Sequence, residues 1–266
     1  MYDQTQLREN VKRVFSLFSI YTISNMTKQR LGSEKGDGGY VVLRQLIEKA
    51  PCLLSFGIGD NVDFEMDWIK ESRGETVYMF DPFCVLPKIS DIQLKPYCEF
   101  SQEAFPTPLQ KSKVPLNAAL KVDVEGDEWE GLHSISSRTL KRFSQIMCEF
   151  HIFPILQPTG FSPYFSQVLR RFYGNFNTAL FDTYREVLEK LSNDFVCFHT
   201  HANNSLTYMN IEGVEFPPLL ETSWVRKDLV PDRLQLYEGR LPIEGLDVPN
   251  KSDRPDFADW RQYVID

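Results

Sequence analysis

The stretch "LKVDVEGDEWEGL", residues 120–132, decides how the chain folds. Leu120, Val122 and Val124 alternate as a short apolar strand, with Asp123 and Glu125 set into its end and Gly126 directly after. A buried strand rejects an uncompensated carboxylate, because taking the charge out of water is costly. The strand must therefore run out where solvent or a ligand meets these two groups. Asp123 is predicted to face that crevice, and Glu125 to support the turn behind it. Asp127, Glu128 and Glu130 read as the solvated first turn of a helix beginning near Glu128, where negative charge suits the helix dipole.

Working outward, the same strand-then-helix rhythm recurs. CLLSFGIG (52–59) is a strand running into a glycine turn, and DFEMDWIKES (63–72) is helical with Phe64, Trp68 and Ile69 on one face. TVYMFDP (76–82) and KPYCEFS (95–101) are strands, as are SQIMCEFHIF (144–153), DFVCFHTH (194–201) and LLETSWVRKD (219–228). A long helical segment is predicted from Pro163 to Ser192. RLGSEKGDGGYVV (30–42) reads as a polar glycine-rich loop. Residues 1–30 form a helical N-terminal extension, with Leu7, Val11, Val14, Phe15, Phe18 and Tyr21 at helical spacing. Residues 240–266 read as an irregular surface tail rich in Pro and Asp. Strands alternating with helices imply one doubly wound, Rossmann-like α/β domain over residues 1–266, its mostly parallel sheet covered on both faces. Ligands of such sheets bind beyond the carboxyl ends of the strands, where strand order reverses.

Composition narrows the function. Apolar residues make up 42% and charged residues 25% of the 266, the balance of a globular domain. A formal net charge of −8 argues against non-specific binding to nucleic acid or to an anionic membrane. No apolar run is long enough to span a bilayer, and MYDQTQLREN lacks the apolar core of a signal peptide. The five cysteines are scattered singly, with no CxxC pair, which reads as reduced thiols in a cytoplasmic protein.

Gly57 and Gly59 follow a strand and precede a helix, where glycine permits a tight turn and close approach of a ligand to the backbone. The usual dinucleotide fingerprint needs a third small residue where Val62 stands, so a pyrophosphate cradle is disfavoured. Asp81 ends the second strand about twenty residues after Gly59, the place from which an acidic side chain takes ribose hydroxyls; its other reading is a cap on the turn with Pro82.

Together, LLSFGIGDNVDFE (53–65), VYMFDP (77–82) and LKVDVEGDEWEGL resemble the FkbM-like class I methyltransferases that use S-adenosylmethionine. The K-x-D-x-E-G core of Lys121, Asp123, Glu125 and Gly126 is the most specific element, with KGDGGYVV (35–42) and QIMCEFH (145–151) beside it. The resemblance implies a seven-stranded sheet with its last strand antiparallel and the cofactor over the first two strands. It also implies Gly57 and Gly59 as the cofactor loop, Asp81 on the ribose, and Asp123 beside the methionine end. Ser55 stands where such enzymes usually carry an acid, and Asp37 could supply the missing carboxylate.

His151, and His201 on the next strand along the chain, end strands that a parallel sheet brings to one rim with Asp123 and Glu149. An imidazole there could take the proton of an attacking hydroxyl. Alternatively, Asp123, Glu149 and His151 could hold a divalent metal that orients a diol. The implied activity is O-methylation of a small polar acceptor, a sugar or glycan precursor, with Tyr164, Tyr173, Tyr184 and Trp224 as candidate stacking surfaces. A nicotinamide-dependent oxidoreductase and a non-catalytic binding protein share the fold and remain the rivals.

Overall fold

In the computed structural model of the chain, residues 4–84, 95–152, 178–211, 213–231 and 233–264 are described. The lower part of the predicted 163–192 helix, with Tyr164 and Tyr173, lies outside them. The labelled helices are α1 (Gln4–Ser16), α2 (Asp63–Glu71), α3 (Glu128–Ser134) and α4 (Thr178–Asp194). The labelled strands are β1 (Lys28–Gly32), β2 (Gly39–Leu43), β3 (Cys52–Phe56), β4 (Thr76–Phe80), β5 (Cys98–Ser101), β6 (Ala118–Val122), β7 (Phe143–His151), β8 (Phe195–Ala202) and β9 (Leu219–Arg226).

Strands β3 to β9 form one seven-stranded sheet in the order β5-β4-β3-β6-β7-β9-β8. The first five in that order run parallel. The last to form along the chain, β9, inserts antiparallel between β7 and β8. The fold is thus doubly wound and Rossmann-like with its final strand reversed. From central β3 the chain winds outward through β4 and β5, then returns to β6 on the other side. The reversal puts a crevice beyond the carboxyl ends of β3, β4 and β6.

Period-two alternation divides the side chains between two faces. Leu54, Phe56, Leu120, Val122, Ile146 and Phe150 share one core cluster, while Leu53, Val77, Met79, Ala119 and Met147 belong to another. The first is joined by α1 residues Val11, Val14 and Phe15 and by Leu188 and Leu191 of α4. Helix α1 is no loose extension: it stops at Ser16, and Phe18 beyond it packs edge-on against Phe150 at 5.4 Å between ring centroids. Tyr184 and Trp224 are core residues, 5% and 1% exposed, which removes them as stacking surfaces for an acceptor.

The region read as a glycine-rich loop is a hairpin, with β1 and β2 paired from Lys28↔Leu43 to Gly32↔Gly39. Leu31, Tyr40 and Val42 join the α2 side of the core, and Val41 and Leu43 pack with Phe198 and Val225. The tail beyond residue 240 is irregular up to a short helix at Arg261–Val264, but it is not a surface chain. Its Asn250 and Trp260 are buried, and Trp260 meets Phe15 at 5.6 Å. Among the described residues no helix is long and apolar enough to cross a membrane.

Candidate active site

At the switch point lies a cavity of about 230 Å³ whose lining includes Gly57, Asp81, Phe83, Phe105, Asp123 and Glu125. Three adjacent strand ends supply its polar groups. Gly57 has φ +76°, and a side chain there would drive a Cβ to 1.5 Å from the Asp123 carbonyl oxygen. Gly57 is therefore demanded by the crossing of two strand ends. Gly59, at φ +54°, faces open space with nothing within 4 Å of a Cβ position.

Asp81 is buried beneath this loop. Its Oδ2 accepts the Ile58 and Gly59 N–H groups at 3.1 and 2.9 Å, and its Oδ1 those of Phe83 and Cys84 at 2.8 and 2.9 Å. A carboxylate has about four lone-pair sites, so in this geometry Asp81 moulds the glycine loop and the following turn. Val62 is buried in the α2 core.

Asp123 is the group the opening motif places at the crevice. Its Oδ2 accepts the Tyr40 hydroxyl at 2.9 Å and lies 3.6 Å from the Lys121 ammonium. Burial raises the Asp123 pKa, but Lys121, His151 and hydrogen bonds from Glu149 and Tyr40 outweigh it and hold the carboxyl below its ordinary range. Glu149 moves the other way: burial and the charge of Asp123 push it well up, so it is the partner that carries the proton. Lys121 donates to the Gly57 carbonyl at 2.6 Å and sits over the Tyr40 ring. One buried cation thus ties the glycine loop to Asp123.

Asp37 lies in the β1–β2 connection rather than against Ser55, and accepts from Asn250 at 2.8 Å. The carboxylate that meets Ser55 is Glu65 of α2, which accepts its hydroxyl at 2.5 Å while 1% exposed. Glu128 is a second departure from expectation. It is fully buried, not solvated, and accepts the Gly126 N–H at 2.8 Å and the His151 backbone N–H at 2.7 Å. Glu128, rather than Glu125, supports the turn. Glu125 is half-exposed, adopts φ +57°, and points its Oε2 to 3.4 Å from His151 Nε2.

His151 is 2% exposed, with Nδ1 at 3.2 Å from Glu128 and Nε2 at 3.9 Å from Glu149. Burial lowers its pKa, but Glu128, Glu125 and Glu149 overcome that and raise it well above the ordinary imidazole value, so the ring is an imidazolium at neutral pH. His201 stands between Glu221 at 2.9 Å and Asp256 of the tail at 3.0 Å. Those carboxylates overcome desolvation and push it up to about 10. His201 does not line the cavity. The structure therefore brings together Gly57, Asp81 and Asp123 at the cavity with His151 beside them, and leaves the exposed Asp37, bonded to Asn250, and the buried His201, bonded to Asp256, outside the cavity lining. Asp123, Glu125 and His151 each offer a ligand atom within 4.8 Å of the others, so the candidate metal set gains Glu125 where Glu149 was expected. Glu149 is engaged by Asn203 at 2.7 Å.

No protein-family model matches the sequence, and no curated protein aligns with it. Among solved structures, the chain is similar to the Methanococcus jannaschii fibrillarin pre-rRNA processing protein, at 13% identity over 68% of each chain with a TM-score of 0.36.

Proposed function

We propose that the chain transfers a methyl group from S-adenosylmethionine to a hydroxyl oxygen of a small polar acceptor, a sugar or glycan precursor. The observation that supports this reading is one cavity where Gly57, Asp81 and Asp123 converge from adjacent strand ends, beyond the carboxyl ends of a sheet whose last strand is antiparallel. In this reading the Gly57–Gly59 backbone, held in shape by Asp81, approaches the nucleoside, and a ribose hydroxyl competes for the Asp81 oxygens. Asp123 lies beside the methionine end, with Asp37 behind it.

S-adenosylmethionine, when bound, supplies a methyl already activated by its sulfonium. The chain then has to align donor and acceptor and take up one proton. His151, charged and bracketed by carboxylates, orients Asp123 and Glu125 rather than accepting that proton. The ionised Asp123 and the half-exposed Glu125 are the cavity groups suited to receive it, because the hydroxyl proton becomes acidic as the oxygen is alkylated. His201 keeps the rim in place from behind. The test is a screen of hydroxylated acceptors with methyl-labelled cofactor. Label in an ether of a sugar acceptor supports the reading; label on no oxygen acceptor, with cofactor bound, removes O-methylation.

A further inference from the structure

We infer that Asp123, Glu125 and His151 form a site for one divalent metal ion of the Mn²⁺ type, at the edge of the cavity that Asp123 and Glu125 line. These residues come from the end of β6, the turn after it and the end of β7, and their ligand atoms lie within 4.8 Å of one another. The Glu125 Oε2 and His151 Nε2 separation of 3.4 Å is close to that of adjacent ligands around an ion with bonds of about 2.1 Å.

The imidazole carries the argument beyond a cluster of acids. His151 is 2% exposed, and its Nδ1 faces Glu128 Oε1 at 3.2 Å. Glu128 is itself fully buried and anchored by two backbone N–H groups, from Gly126 and His151. A carboxylate on one ring nitrogen fixes the tautomer and aims the other at a metal, an arrangement that recurs behind metal-bound histidines. Here the aimed nitrogen is Nε2, which lies 3.4 Å from the Glu125 carboxylate; an ion bound there would displace the proton that this nitrogen otherwise carries. The Glu125 backbone, in the left-handed region at φ +57°, carries its side chain to that nitrogen. Two carboxylate oxygens and one imidazole nitrogen suit a cation that accepts oxygen and nitrogen together, and leave positions for two hydroxyls of an acceptor.

The ion's use rests on the methyl-transfer reading, since it would orient a diol at the methyl donor and acidify its hydroxyl. Its binding does not. The test is titration of the metal-free full chain with Mn²⁺, without cofactor, followed by the loss of the free-ion paramagnetic signal and by calorimetry. One site per chain is expected in the wild type. Glu125→Gln, at a half-exposed position, should fold normally and bind at least tenfold more weakly. Glu128→Gln should weaken binding about 10- to 100-fold, with circular dichroism verifying the fold. Absence of a site, or equal binding by wild type and Glu125→Gln, overturns the inference. S-adenosylhomocysteine titrated into the same metal-free protein separates the two ideas. Cofactor binding without a Mn²⁺ site ends the metal proposal alone, and a Mn²⁺ site without cofactor binding ends the methyltransferase reading alone.

Discussion

Replacing Gly57 with alanine should cost far more than the same change two residues on. The new Cβ would stand 1.5 Å from the Asp123 carbonyl oxygen and 2.6 Å from its carbon, well inside contact distance. Neither backbone is free to retreat. Gly57 donates its N–H to Phe80 at 2.9 Å, and Asp123 donates to Phe56 at 3.1 Å. Relief requires breaking one of these bonds, worth about 1 kcal/mol. The positive φ adds about 1–2 kcal/mol for a residue with a side chain, and residual overpacking about 1–3 kcal/mol. Together the loss is on the order of 4 kcal/mol. Gly59→Ala meets nothing within 4 Å and pays only for its φ of +54°, about 1 kcal/mol. Urea unfolding followed by circular dichroism compares the two. Equal midpoints, or a Gly57→Ala protein as stable as wild type, would refute the reading of Gly57 as a crossing point. Gly59→Ala should keep its fold and lose cofactor affinity, because its methyl enters the open space over the loop.

Asp81→Ala strips the acceptor from four N–H groups, so stability should fall by on the order of 3 kcal/mol and S-adenosylhomocysteine affinity should fall with it; an unchanged melting temperature would show that the loop holds itself. Asp123→Asn removes the charge met by Lys121 and Tyr40, and should cost about 1–3 kcal/mol of stability while lowering methyl transfer at least a hundredfold in a still-folded protein. Near wild-type turnover would return Asp123 to structure. His201 has a folded pKa of about 10 against about 6.5 unfolded, so its stabilisation is complete below pH 6.5 and is lost as pH rises towards 10. Chemical unfolding across that window should show a decline of several kcal/mol at most in the wild type and a flatter profile in His201→Gln; identical profiles would place the charge elsewhere.

The succession of strands along the chain was readable because several apolar runs stop at Gly or Asp, as after Phe56, Phe80 and Val122, and the motif at residues 120–132 marked the strand whose end carries charge. The β1–β2 hairpin was hidden, because Lys28, Gln29 and Arg30 mask an alternation visible only through Leu31, Tyr40 and Val42. Glu65 and Glu128 were missed for a related reason. Acidic residues in a first helical turn are usually solvated, yet each stands four residues before a buried apolar partner, Ile69 and Leu132 respectively, on the inward face of its helix. That spacing was the available signal. Asp247, which holds His199, and Asp256, which holds His201 together with Glu221, come from the tail. Contacts between residues some fifty positions apart leave no periodicity to read.

Calorimetry of the purified chain with S-adenosylhomocysteine, S-adenosylmethionine and NAD tests the central claim most directly. The account predicts one site for each sulfur compound, weakened in Gly59→Ala and Asp81→Ala, and no heat with NAD. Binding of NAD with no response to either sulfur compound would contradict it.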